Sequence, residues 1–294
     1  MKKTILTFWA INFVLTWGTV FALMAAGIPY GSEICMAVFA LCMMFPALSS
    51  ILARLICRSG FEEMYLHPHP KKSWKVLLTA LWAPSLLIGF GVVLYFVLFP
   101  FDFDPSMVFV KETLSKQGVS PELAGPMIYG QLAFGALFGG LINVIPAMGE
   151  ELGWRGFLFP QLCKMMSPAK ATLLAGLIWG IWHAPMIAMG HNYGTGYPTA
   201  PWGGIAAMIL FCTALGSILS WWTIKGGSAW PAAIGHGAIN AMAAAGFYFS
   251  PTAMAGTANS FVGPSASGIV GGAGLLLAGI WCFIRIVKTS KENG

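Results

Sequence analysis

Two adjacent glutamates, Glu150 and Glu151, follow an apolar run that ends at Met148. The whole chain has only ten acidic residues, so a pair of them here stands out. On a helix, Glu151 and Arg155 lie at i and i+4, on one face and close enough to pair. Glu150 points about 100° away from Glu151. The two acids therefore cannot do the same job: Arg155 holds Glu151 in place, and Glu150 is free to act on water. A charged helix end lying among lipid headgroups would give the same local pattern. Two histidine motifs further on add weight to the chemical reading. In Trp179-Gly180-Ile181-Trp182-His183-Ala184-Pro185 a histidine sits within an apolar helix, where such residues usually face a protein interior or a wet cavity. Pro185 removes a backbone donor, which predicts a kink at the histidine. In His236-Gly237-Ala238-Ile239-Asn240, His and Asn share one face. The neighbours Gly235, Gly237 and Ala238 predict close approach of another helix or of a substrate backbone. Either histidine alone could be a simple contact between helices. Two acids, two histidines and an asparagine together form an inventory for activating water and stabilising an oxyanion.

The elements that must position these residues are helices in a bilayer. Hydrophobic residues make up 57% of the 294 and charged residues 9%, and the mean hydropathy is +0.75. A soluble domain of this size does not have that composition. Eight apolar runs approach the roughly 20 residues that a spanning helix needs: 5–27, 34–56, 75–99, 127–149, 168–189, 202–224, 228–249 and 266–287. The fold class expected is all-α, a polytopic bundle of about eight spans. The first run follows Met-Lys-Lys and is longer than a cleavable signal core, so it reads as an uncleaved span, with cleavage after Ala26 as the lesser alternative. The fourth run is expected to continue as helix through Phe159, with Pro160 as the next stop.

Charge sets the orientation. With the N-terminus cytoplasmic, the inner segments hold Lys2 and Lys3; Arg54, Arg58, Lys71, Lys72 and Lys75; Arg155, Lys164 and Lys170; Lys225; and Arg285, Lys288 and Lys291. That is fourteen of the sixteen basic residues, which places both termini inside. The net charge of +6 is thus a topology signal and not a nucleic-acid signature. The six cysteines have no paired spacing and lie in apolar runs or inner loops, so no disulfide and no cysteine metal site is expected. His67 and His69 could hold a metal, but no third ligand is near, and 57–74 reads as a solvated, proline-stiffened linker. The stretch 190–201, with His191, Asn192, Tyr193 and Tyr197, reads as an outer loop with interfacial aromatics. The small, polar stretch 250–265 reads as a flexible outer loop. The divisions expected are 1–125 (three spans), 126–250 (a core of four spans) and 251–294 (a last span and basic tail). Depth poses a condition on the site. His183 lies about 20 Å past the start of its run and His236 about 12 Å into its own. Glu150 is near the cytoplasmic end, so the three meet only if the fifth run starts below the membrane or the fourth helix lies deep.

Glu150-Glu151-x-x-x-Arg155, then Trp179-x-x-x-His183, then His236-x-x-x-Asn240 resemble, in that order, the CPBP family of intramembrane proteases. That family includes the type II CAAX prenyl endopeptidases and Abi-like bacterial proteins. The resemblance covers about 145–245. The family commonly has Phe where Trp179 stands, a change that keeps an aromatic. The resemblance implies peptide-bond hydrolysis in the membrane, with Glu150 as general base, His183 helping to hold the water, His236 and Asn240 as the oxyanion hole, and Glu151 and Arg155 as supports. It leaves two versions of the chemistry: direct activation of water by glutamate with no cofactor, which is favoured, or zinc held by Glu150, His183 and His236. The partners implied are the bilayer and a protein or peptide substrate, prenylated or not. The location expected is the bacterial cell membrane. Two other functions fit a buried Glu–His set less well: a proton-coupled transporter, for which no inverted repeat is seen, and a non-enzymatic scaffold or immunity protein.

Overall fold

The computed structural model describes residues 1–292, whose regular elements are all helices, with no strand among the described residues. In chain order the helices are α1 (Lys2–Ala25), α2 (Glu33–Cys42), α3 (Phe45–Cys57), α4 (Pro70–Leu98), α5 (Val108–Lys116), α6 (Pro121–Ile142) and α7 (Val144–Gly153). A π-helical turn, Trp154–Leu158, joins α7 to α8 (Phe159–Cys163). Then come α9 (Pro168–Trp182), α10 (Ala184–Ala188), α11 (Trp202–Gly226), α12 (Trp230–Met242), α13 (Pro251–Met254) and α14 (Ala273–Glu292). Asn293 and Gly294 of the expected tail lie outside the described residues.

Six of the eight apolar runs fold as helices, or as one near-continuous helix pair, long and apolar enough to cross a membrane. The other two are α9 and α12, of 15 and 13 residues. α12 reaches only about 20 Å at 1.5 Å per residue, short of a hydrocarbon core of about 30 Å, and α9 breaks at His183 before going on as α10. These two carry the histidine motifs. Hydropathy counts residues and cannot see that a helix stops inside protein.

Three further expectations change. The fourth helix does not stop at Pro160: that residue occupies the first turn of α8, where its missing N–H is not needed, and helix continues to Cys163. The stretch 57–74 is not a free linker. Buried Arg54 donates to the carbonyls of Gly60 and Glu63, at 3.0 and 2.9 Å. The Tyr65 carbonyl accepts from the Ala229 amide and the Ser228 hydroxyl, and Leu66 accepts from the Trp230 indole at 2.7 Å. Glu63 also pairs with Lys164. The segment is a strap lying across the start of α12. Nor is 250–265 loose. Gly263 to Ser265 are buried with Ala266, the Ala266 amide donates to Ala243, and α14 begins only at Ala273. Glycine permits this packing: a Cβ on Gly91 of α4 would lie 1.9 Å from the Gly271 carbonyl oxygen. A small, polar composition reads as flexible in sequence, but here it lets backbones touch.

Candidate active site

The local break in each helix places a functional side chain. The fourth run breaks at Asn143, whose side-chain amide donates to the Gly237 carbonyl of α12 at 3.2 Å. A Cβ on Gly237 would meet Asn143 and Gly140 backbone atoms at 3.1 Å, and one on Gly235 would meet the Trp222 ring at 2.1 Å. Close approach at these glycines is therefore borne out. The fifth run breaks at His183, as Pro185 led us to expect. Its end is pinned to α1: Trp182 donates its indole N–H to Thr16 at 2.8 Å, and Trp17 donates to the Trp182 carbonyl at 3.2 Å.

The depth condition is met from the fourth helix. Because helix runs on through the π-turn to Cys163, Glu150 stands about 20 Å above the α8–α9 turn. That is the height of His183 above the start of α9. A π-turn inserts an extra residue into the helical ladder and often marks a functional site. Here it carries Arg155.

Four side chains then meet around Trp179. Its indole N–H donates to Glu150 Oε2 at 2.9 Å. Its carbonyl accepts from His183 Nδ1 at 2.9 Å. The Arg155 guanidinium lies over its ring, 4.6 Å from the centroid. The His236 ring meets it edge to face at 5.4 Å. The sequence reading treated Trp179 as an aromatic exchangeable with Phe. The indole N–H is the part it missed, and Phe has none. The only signal available was the residue type itself.

Glu151 is fully buried and sits between the Arg155 guanidinium and the His236 imidazole. Arg155 Nη1 approaches its two oxygens at 3.1 and 3.0 Å, and His236 Nδ1 lies 2.9 Å from Oε1. The i and i+4 pairing expected from sequence is present. Glu150 is 3% exposed and turned away from this pair. It lines a cavity of about 730 Å³ together with His183, His236 and Asn240. Glu151 and Arg155 do not line it. The structure thus brings all six predicted residues together and divides them into four at the cavity wall and two behind it. Asn240 is exposed in that wall, one turn beyond His236.

Two cavity residues escaped the sequence reading. His191, eight positions after His183, stacks parallel to it with centroids 6.5 Å apart, and its Nδ1 is 3.3 Å from the Tyr30 hydroxyl. Burial pushes the His191 imidazole down to about 4, so it is neutral near neutral pH. Tyr30 and His191 both line the cavity.

Tautomers follow from partners. A carbonyl only accepts, so His183 carries its proton on Nδ1 and presents Nε2 as an acceptor. His236 donates from Nδ1 to the Glu151 carboxylate. The Nδ1 atoms of His183 and His236 and Oε2 of Glu150 are engaged by protein, which leaves both Nε2 atoms and Glu150 Oε1 free of protein partners; among the described residues no three His, Cys, Asp or Glu side chains are grouped as a metal site.

Comparison with known proteins now bears on the same segment. Residues 131–242 match the family of Rce1-like type II CAAX prenyl endopeptidases. The resemblance carried by the three motifs is borne out. The Rce1-like segment holds all six residues and the breaks that position them. A stretch of 83 residues is 34% identical to the CAAX prenyl protease 2 of Methanococcus maripaludis, covering 28% of this chain and 30% of the relative. The chain therefore matches less than a third of that relative's length.

Proposed function

We propose that this protein is an intramembrane endopeptidase of the bacterial cell membrane, working by glutamate-activated water. One observation carries the reading: Glu150, His183, His236 and Asn240 line one cavity while the Glu151–Arg155 pair is buried behind it. Water held by His183 Nε2 loses a proton to the Glu150 carboxylate as its oxygen attacks the scissile carbonyl. The oxyanion accepts hydrogen bonds from the Asn240 amide and from His236 Nε2–H. As the C–N bond breaks, Glu150 returns the proton to the leaving amine.

Charge balance supports these roles. Two buried carboxylates call for two positive charges, and Arg155 supplies one. A proton on His236 supplies the other, and it is the proton that makes Nε2 a donor. Glu151 would then hold His236 both in place and in its charged form. The substrate is a membrane-associated protein or peptide. Nothing in the cavity requires a prenyl group, and an unprenylated bacterial peptide is the version we favour.

Cleavage in proteoliposomes tests this, using a prenylated CAAX peptide beside a panel of unprenylated membrane peptides. Wild type and Glu150→Gln are compared with and without a zinc chelator. Cleavage lost in Glu150→Gln and kept with chelator is the expected result. Loss with chelator would bring zinc back. No cleavage of any peptide by wild type would remove the protease reading.

A further inference from the structure

The loop after α10 folds a histidine into the cavity wall. Gly190, at φ +110°, turns the chain back just beyond the end of α10. The His191 amide then donates to the Met186 carbonyl at 3.0 Å, and its carbonyl accepts from the Tyr193 amide at 2.8 Å. The backbone of His191 is thus fixed to the same broken helix that positions His183. Its ring is fixed from a second element. Tyr30, in the α1–α2 connection, brings its hydroxyl to 3.3 Å from Nδ1. The Phe39 ring of α2 meets the imidazole edge to face at 5.7 Å. The Asn192 backbone amide also bonds the Tyr30 oxygen. An amide only donates, so the hydroxyl accepts there and gives its own proton to His191 Nδ1. The neutral imidazole then carries its proton on Nε2, which is left for the cavity. His183 presents the opposite polarity, an Nε2 acceptor.

The spacing of the two rings matches a peptide backbone. Their planes are within 4° of parallel and their centroids are 6.5 Å apart. An extended chain rises about 3.3–3.4 Å per residue and repeats every two residues, so carbonyls on one side recur about every 6.6–6.8 Å. We infer that His191 is a substrate-binding residue: with the scissile carbonyl beside the water at His183, His191 Nε2–H donates to the carbonyl two residues along the same extended peptide. The walls nearby, Met36, Phe39 and Met208, are apolar. A peptide carbonyl brought among them is costly unless a donor meets it. A histidine that only filled space between Tyr30 and Phe39 would need neither a fixed tautomer nor access to the cavity. The role rests on the protease reading and deepens it. The substrate is held as extended backbone, and the methionines of the wall adapt to varied apolar side chains.

Kinetics on a peptide that wild type cleaves in the proteoliposome panel, with its cut site mapped by mass spectrometry, test the role. His191→Phe keeps a ring between Tyr30 and Phe39 and removes the donor. KM should rise about 3- to 10-fold, the worth of one neutral hydrogen bond, with kcat little changed. His191→Gln returns a side-chain N–H and should recover most of the loss. His191→Met replaces the phenylalanine variant if that one fails to accumulate, since methionine already lines this wall. Altered peptides separate contact from packing. The two peptide bonds whose carbonyls lie two residues from the scissile one are replaced, one at a time, by a trans alkene. One replacement should raise KM for wild type and for His191→Gln, yet add nothing in His191→Phe. Equal losses in all three proteins for both replacements, an unchanged KM in His191→Phe, or a His191→Gln as impaired as His191→Phe overturns the inference while the protease reading stands. A wild type that cleaves no peptide removes the protease reading and this role with it.

Discussion

Two buried acid clusters sit at different heights in this protein, and they are built in opposite ways. Asp102, 2% exposed, accepts from the Tyr95 hydroxyl at 2.9 Å, the Ser250 hydroxyl at 2.6 Å and the Thr252 amide at 3.1 Å. Every donor is neutral, no cavity adjoins it among the pockets described, and the result is a clamp between the end of α4 and the segment entering α13. At Glu150–Glu151 the partners are a guanidinium, an imidazole and an indole, one acid faces a cavity, and Arg155 keeps two buried nitrogens, Nε and Nη2, without a partner. Burial of an acid therefore says little about its role. A fully answered carboxylate ties chain to chain; one left facing open space beside under-satisfied charges is poised for chemistry.

The largest effect should separate the clusters outright. Glu150→Gln is expected to lower kcat about 10²–10⁴-fold, as for loss of a general base, while Asp102→Asn leaves kcat unchanged; purified variants in one peptide assay decide it. Next come His236→Ala and Asn240→Ala, each expected to cost about 10²–10³-fold in kcat as oxyanion donors. An unchanged rate in both would mean the oxyanion is held elsewhere. Trp179→Phe keeps the ring under Arg155 but removes a hydrogen bond to a carboxylate. Such bonds are worth about 1.5–3 kcal/mol, so kcat should fall about 10- to 100-fold with KM little changed. The smallest effect belongs to the clamp. Asp102→Ala should cost about 1–3 kcal/mol of stability through its orphaned donors, read as a lower melting temperature in detergent. Burial alone would raise the Asp102 carboxyl, but hydrogen bonds from Ser250, Thr252 and Tyr95 outweigh it and hold it below the ordinary carboxylate range. Its contribution is therefore present above the unfolded value of about 4 and is lost as pH falls through the lower folded value. Asp102→Asn should flatten that part of the melting profile.

The six polar residues of the site were legible because lipid-depth polarity is expensive and motif spacing survives in one dimension. The all-helical class was legible from run length. Three things were hidden. A helix that ends against protein has the same hydropathy as one that crosses, so the shortness of α12 did not show. Asp102 looked like one more outer-loop acid, since two of its three donors come from about 150 residues away. The indole donor of Trp179 depends on which way a ring turns, and spacing alone does not fix that.

The broken ends have one more consequence. A helix that stops leaves its last carbonyls with no following turn to bind them. In hydrocarbon such groups are costly, and irregular backbone at that depth is found where protein or a wet cavity surrounds it. The last turn of α12 ends at Met242, beside cavity residues Ala243 and Ala244. Just beyond it, the Ala243 carbonyl accepts from the Ala266 amide and the Ala244 carbonyl from the Phe247 amide, so the chain past the helix end is answered by protein. Hydrolysis consumes one water per bond cut, in a medium that holds almost none. Under the proposed hydrolysis, the same truncation that would make room for a peptide would also leave room for the second reactant.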